Sequence, residues 1–115
     1  MANRDAGKAY VLQGTLDLMV LQTVAVLGPS HGYAITARLE QVSKRALQVN
    51  MGTLYPALMR LEQRGLLRGA WGTTDSNRKA RFYGLTAAGK RALETEKEAW
   101  HRMSAIMQDL LRGEA

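Results

Sequence analysis

The chain of 115 residues has no cysteine. That excludes disulfide staples, thiolate nucleophiles and cysteine-ligated zinc. Histidine is nearly as scarce, and His31 and His101 lie far apart without the spacing of a histidine metal motif. No apolar run reaches the roughly 18 to 20 residues of a membrane helix. The longest, near Leu16 to Leu27, is broken by Asp17, Gln22 and Thr23. Met1 to Lys8 is polar and lacks the apolar core of a secretory signal, so the expected compartment is the cytoplasm. No glycine-rich phosphate loop, nucleophile elbow or carboxylate pair is visible. Glu94, Glu96 and Glu98 stand among Lys90, Arg91 and Lys97, as on a solvated helix face. Catalysis, a cofactor and a metal are therefore not expected. One Phe, two Trp and four Tyr, scattered, are too few for a platform that stacks single-stranded bases. Negative charge is also short: 10 acidic residues face 16 basic ones, for a net charge of +6. That balance favours a polyanionic partner, chiefly nucleic acid.

What is present fits one domain with one modest core. Apolar residues form 46% of the chain, which excludes a disordered reading. Residues 1–10 read as a flexible arm carrying Arg4 and Lys8. A first helix is expected from Thr15, as N-cap, to Leu27, with Asp17 in its first turn and Leu16, Met19, Val20, Val24 and Leu27 at helical spacing. Gly28-Pro29 stops it and Ser30 caps a second helix, His31 to about Ser43, with Tyr33, Ile35, Leu39 and Val42 as its apolar content. Leu47 to Val49 reads as a short strand or an extended turn. A third helix spans about Met51 to Arg64, capped by Asn50 or Thr53 and ended by Gly65. Pro56 would cost about 3 kcal/mol deep in a helix, and is tolerated if the helix effectively begins near Thr53, which puts Pro56 in the first turn. Leu66 to Thr73 and Arg78 to Leu85 read as a hairpin around Thr74 to Asn77, and Thr86 to Arg112 as a long helix.

Three helices, a hairpin and a long helix make a mainly α fold with a small β-hairpin: a winged helix-turn-helix over 11–85 and a C-terminal dimerisation helix over 86–115. In that plan the third helix enters the major groove of double-stranded DNA and the hairpin, or wing, lies on the backbone. Leu54, Ala57, Leu58 and Leu61 form the buried stripe of the third helix. Its other face carries Thr53, Tyr55, Pro56, Met59, Arg60 and Gln63. Thr53 and Tyr55 near the N-terminus suit base edges, and Arg60, a turn further on, suits phosphate. Arg78, Lys79 and Arg81, with Arg68, make a basic wing suited to phosphates. Strict alternation places Lys79 and Arg81 on the core-facing side with Tyr83, so the wing must project or twist to keep them wet. Trp71 is expected to cover the edge of the core. The candidate DNA contacts are Asn50, Thr53, Tyr55, Pro56, Arg60, Arg78, Lys79 and Arg81.

In the last helix Leu93, Trp100, Met103, Met107 and Leu110 repeat as a heptad seam, broadened by Ile106 and Leu111. A domain this small cannot cover such a stripe, and pairing with a second copy to form a homodimer is the simplest solution. Two recognition helices could then reach half-sites about 34–36 Å apart. Trp100 and Met103 across that seam could also form an apolar slot for a small aromatic or drug-like effector. The rival readings are a winged-helix module that binds protein, and a small-molecule sensor built on the dimer seam.

Four segments carry a resemblance. Gly14 to Leu18 (GTLDL), Gly28 to Ile35 (GPSHGYAI), Gly52 to Glu62 (GTLYPALMRLE) and Tyr83 to Gly89 (YGLTAAG) together resemble the PadR family of bacterial transcription regulators. The likeness runs from about Leu12 to Leu93. The wing, Trp71-Gly72 through Asn77 to Ala80, is similar to a short-chain subset found in acidobacteria. The resemblance implies a winged helix-turn-helix, a homodimer built with the last helix, and repression of a promoter. It implies recognition positions at Thr53, Tyr55, Pro56 and Arg60 and wing positions at Arg78, Lys79 and Arg81. Some members sense phenolic or drug-like compounds, for which Trp100 is the candidate contact here.

Overall fold

The computed structural model describes residues 13–113. The expected arm, 1–10, lies outside them. The order is α1 (Gln13–Leu27), α2 (Gly32–Val42), α3 (Met51–Gln63), β1 (Leu67–Thr73), β2 (Lys79–Leu85) and α4 (Ala87–Leu111). Among the described residues no helix is long and apolar enough to cross a membrane.

One core joins the helices. Leu54, Ala57, Leu58 and Leu61 of α3 are fully buried against Leu16, Val20, Leu21 and Val24 of α1 and Ile35 and Leu39 of α2. Each such leucine stabilises the fold by about 1.5–3 kcal/mol relative to exposure. The helices end as their glycines dictate. Gly28 and Gly65 take left-handed φ values of +80° and +76°, which L side chains rarely adopt.

Several expected details are corrected. Thr15 is not the cap of α1, since it is the third residue of that helix. Asp17 is not in the first turn; its carboxylate accepts from Arg60 Nη2 at 2.9 Å, tying α1 to α3. Ser30 is not the cap of α2. His31 takes that place, its Nδ1 accepting from the Ala34 N–H at 3.3 Å. Ser30 is instead buried, and its backbone N–H and C=O both pair with Tyr83 of β2. Tyr33 and Val42 do not join the core; they are 72% and 64% exposed. Of the two readings for residues 47–49 the strand does not form: the chain there has no regular secondary structure and follows a left-handed pair, Lys44 and Arg45. The helix α3 runs Met51–Gln63, starting where the expected span starts and capped by Asn50, the first of the two candidates; it has no effective start near Thr53, so Pro56 is its sixth residue and not in the first turn. The bond that Pro56 cannot make would go to the Gly52 carbonyl, and both residues are exposed, so the lost bond falls on the solvent-facing side of the helix.

The hairpin pairs antiparallel from Leu67↔Leu85 out to Thr73↔Lys79. Its turn is closed by Thr74, whose N–H donates to the Arg78 carbonyl and whose hydroxyl accepts from the Arg78 N–H. Asn77 there takes φ +63°, a conformation an Asn side chain tolerates. The base of the hairpin is locked to α4. The Thr86 hydroxyl caps α4 by accepting from the Gly89 N–H at 2.9 Å and donates to the Gly65 carbonyl at 2.6 Å. Gly89 lies so close to this turn that a Cβ would sit 2.1 Å from the Leu66 carbonyl oxygen. Leu93, one turn on, is 4% exposed within this core, which corrects its expected place in an intermolecular seam.

Two predictions follow from this packing. Gly89→Ala should lower stability by about 3 kcal/mol or more through overpacking against backbone, while Gly14→Ala, in open space, should be neutral or stabilising; urea midpoints compare them. In a double-mutant cycle, Asp17→Asn and Arg60→Met should show a coupling of about 1–2 kcal/mol, between the values for exposed and buried pairs; additive losses would mean that the pair contributes nothing.

Candidate nucleic-acid interface

The N-terminal ends of α2 and α3 and the inner side of the hairpin enclose an open cleft of about 830 Å³. His31, Tyr33, Tyr55, Trp71, Arg78 and Lys79 are among its walls. Both helices present their positive ends here, where unpaired N–H groups favour an anion.

The fold positions these side chains by simple means. The leucine stripe buries one face of α3, so Thr53, Tyr55, Pro56 and Met59 are left on the outside. Asn50 is the cap of α3: its Oδ1 accepts from the Thr53 N–H at 2.9 Å, so its side chain has a structural task whatever else it touches. Tyr55 is half-exposed and stands at the cleft. Tyr33, expected only as part of the apolar content of α2, stands there too. The signal that could have found it is its place in the first turn of α2. The His31 ring meets Phe82 of β2 edge-on, with centroids 5.3 Å apart, which ties the start of α2 to the wing.

The basic residues divide into two groups. Arg78 and Lys79, at the turn and at the start of β2, are exposed. Arg60 and Arg81 already have protein partners. Arg60 is paired to Asp17, its side chain is two-thirds covered, and its Nε is buried without a partner among the described residues. The expectation that Arg60 stands open for phosphate is corrected accordingly. Arg81 Nη2 donates to Glu62 Oε2 at 2.6 Å, and that hydrogen bond is the main reason its pKa is raised. Arg81 is thus a cation facing the protein rather than the free wing charge expected. Arg68 pairs with Gly84, on the opposite hairpin face from Arg81, so it is not part of the same patch.

Alternation does place Lys79, Arg81 and Tyr83 on one face, together with Trp71. The conflict expected there is resolved by aromatic rings. Lys79 Nζ lies 5.3 Å from the Trp71 ring centroid, and the Arg81 guanidinium lies 5.9 Å from those of both Trp71 and Tyr83. Trp71 is 62% exposed and does not cover the core, contrary to expectation. Tyr83 is buried at the hairpin base; burial raises the pKa of its hydroxyl, with Tyr55 acting in the same direction and Arg81 opposing.

Beyond Leu93, α4 carries Trp100, Met103, Ile106, Met107, Leu110 and Leu111, all between 46% and 78% exposed. The stripe expected from the heptad spacing is present and uncovered in the single chain. Trp100 and Met103 are adjacent on it and remote from the cleft in sequence and element.

Comparison with known proteins follows the same lines. The profile of the transcriptional regulator PadR-like family matches residues 20–95. An uncharacterised transposon-encoded protein of Streptomyces fradiae is 43% identical over 77 residues, 67% of this chain and only 21% of that protein. The chain thus spans about a fifth of that relative. A transcriptional regulator of Mycobacterium tuberculosis is 34% identical over 85 residues, 74% of this chain and 73% of that protein. Among solved structures, a PadR family transcriptional regulator from Eggerthella lenta superposes with a TM-score of 0.70 at 31% identity, covering 86% of this chain and 83% of that one. The fold is the winged helix-turn-helix with a long C-terminal helix, and the family is one of regulators rather than enzymes. The chain belongs to the transcriptional regulator PadR-like family.

Proposed function

We propose that this chain is a DNA-binding repressor that acts as a homodimer in the cytoplasm, with α3 in the major groove and the hairpin on the adjacent backbone. The observation that carries the reading is the cleft between α3 and the hairpin. Met51 and Tyr55 of α3 stand on one side and the exposed cations Arg78 and Lys79 on the other, while Thr53 and Pro56 lie exposed on the same helix outside the cleft. Such a cleft suits a sugar-phosphate strand passing between a helix that reads base edges and a wing that neutralises phosphates. Thr53, Tyr55 and Pro56 are the proposed base-side contacts, joined by Tyr33 from α2. Asn50 contributes by capping α3. Arg60 and Arg81 act by holding elements in place.

The homodimer reading rests on the uncovered apolar face of α4. A second copy is its proposed occupant because the stripe keeps heptad spacing along the helix, which a like helix matches. Pairing there would bring Trp100 and Met103 of two chains near one another and leave an apolar slot between them for an aromatic effector. Repression follows as the effect of occupying promoter DNA.

Fluorescence anisotropy should find tighter binding to duplex from upstream of the chain's own gene than to scrambled duplex. Tyr55→Ala should weaken the specific complex by about 1–3 kcal/mol and the scrambled one much less. Arg78→Ala or Lys79→Ala should weaken both alike and lower the salt slope by about one unit each. No binding to any duplex at low salt would reject the reading in favour of a protein-binding module. Met103→Glu should give a monomer in sedimentation equilibrium; a dimer that persists would place the interface elsewhere.

A further inference from the structure

Glu62 stands at the end of the proposed DNA-reading helix with the wrong charge for DNA, and it holds the wing from that position. Its Oε2 accepts from the Gly69 N–H of β1 at 3.3 Å and from Arg81 Nη2 of β2 at 2.6 Å. One carboxylate oxygen therefore joins α3 to both strands of the hairpin. The line of contacts continues outward. Arg81 lies beside the Trp71 ring, and Lys79, next to the tip, lies over the same ring.

The arrangement has a specific steric requirement. A Cβ at position 69 would lie 2.5 to 2.8 Å from Nε, Nη2 and Cζ of Arg81. Only glycine lets the guanidinium lie across β1 to reach Glu62. The requirement concerns space and not backbone conformation, since Gly69 is not among the glycines of positive φ.

A two-stranded hairpin is marginal by itself, so its direction in space depends on what holds its base. The base itself is held by Leu67 and Tyr83 in the core, by Thr86 against the turn after α3, and on one side by the Ser30–Tyr83 backbone pair and by His31 against Phe82. Toward α3, Glu62 supplies the polar tie. We propose that Glu62, acting through Arg81 and made possible by Gly69, is a positioning residue: it fixes the angle between the wing and α3, and duplex affinity depends on that angle. The inference rests on the DNA-binding reading for its second half only. The wing's order is a property of the free protein.

The charge of Glu62 makes the test discriminating. Glu62→Gln removes a negative charge, so simple attraction to a polyanion would tighten duplex binding. A positioning role demands the opposite. Gly69→Ala changes no charge and displaces only the far end of a flexible side chain, so the fold should survive. Backbone order parameters of residues 74–79 from 15N relaxation, on the full chain, should fall from about 0.85 to below about 0.6 in both variants. Duplex affinity at fixed salt should drop about tenfold in each, and the double variant should be no worse than either single one, because both break the same tie. Unchanged order parameters would overturn the clamp. A wing that loosens while affinity holds or tightens would overturn its role in binding. If the wild-type chain binds no duplex, the proposed function fails, and the order parameters alone then decide whether Glu62 holds the wing.

Discussion

The burial of one face of α3 is the constraint on which the other features depend. Leu54, Ala57, Leu58 and Leu61 are wholly withdrawn from water against α1 and α2. Rotating this helix would expose those side chains at a cost of several kcal/mol in all. Its orientation is therefore fixed, and so is the identity of its outer face. Thr53, Tyr55, Pro56 and Met59 are exposed because nothing else can be. Pro56 fits the same logic: the hydrogen bond it lacks is missing on the wet side of the helix.

Around that fixed helix, charged side chains act as ties. Asp17 holds Arg60 from α1, and Glu62 holds Arg81 from the wing. Two arginines that look available in a count of basic residues are thereby directed inward. The positive charge left at the cleft belongs to Arg78 and Lys79, together with the ends of two helices. On the proposed reading, this separates the residues that would meet a phosphate from those that would set where they stand. Trp71 belongs to the second group. Its exposed ring gives Lys79 and Arg81 a surface to lie on, which lets a strand face hold two cations next to a buried tyrosine.

The long C-terminal helix is divided in its role. Its first turns are part of the domain: Thr86 is hydrogen-bonded to the turn after α3, Gly89 is pressed against the Leu66 carbonyl, and Leu93 completes the core. Beyond them the helix leaves the domain, and its apolar stripe from Trp100 to Leu111 has no cover in the single chain.

The sequence alone determined the element order, the buried stripe of α3, the glycine stops at Gly28 and Gly65, the hairpin with its polar turn, and the apolar spacing of α4. These are local and periodic properties: helix spacing, capping chemistry and turn preferences act within a few residues, so they can be read along the chain. The four motif blocks, Gly14 to Leu18, Gly28 to Ile35, Gly52 to Glu62 and Tyr83 to Gly89, also pointed to the family that the comparisons identify. Only the tertiary structure decided the rest. That His31 rather than Ser30 caps α2 depends on Tyr83, far along the chain, drawing the Ser30 backbone into a bridge. That Tyr33 faces a cleft and Leu93 a core depends on which helix sides meet. That Arg60 and Arg81 point to carboxylates depends on Asp17 and Glu62 arriving from other elements. Periodicity tells which residues share a face. Which neighbour that face meets is a long-range matter, and with it go the partners of every charge.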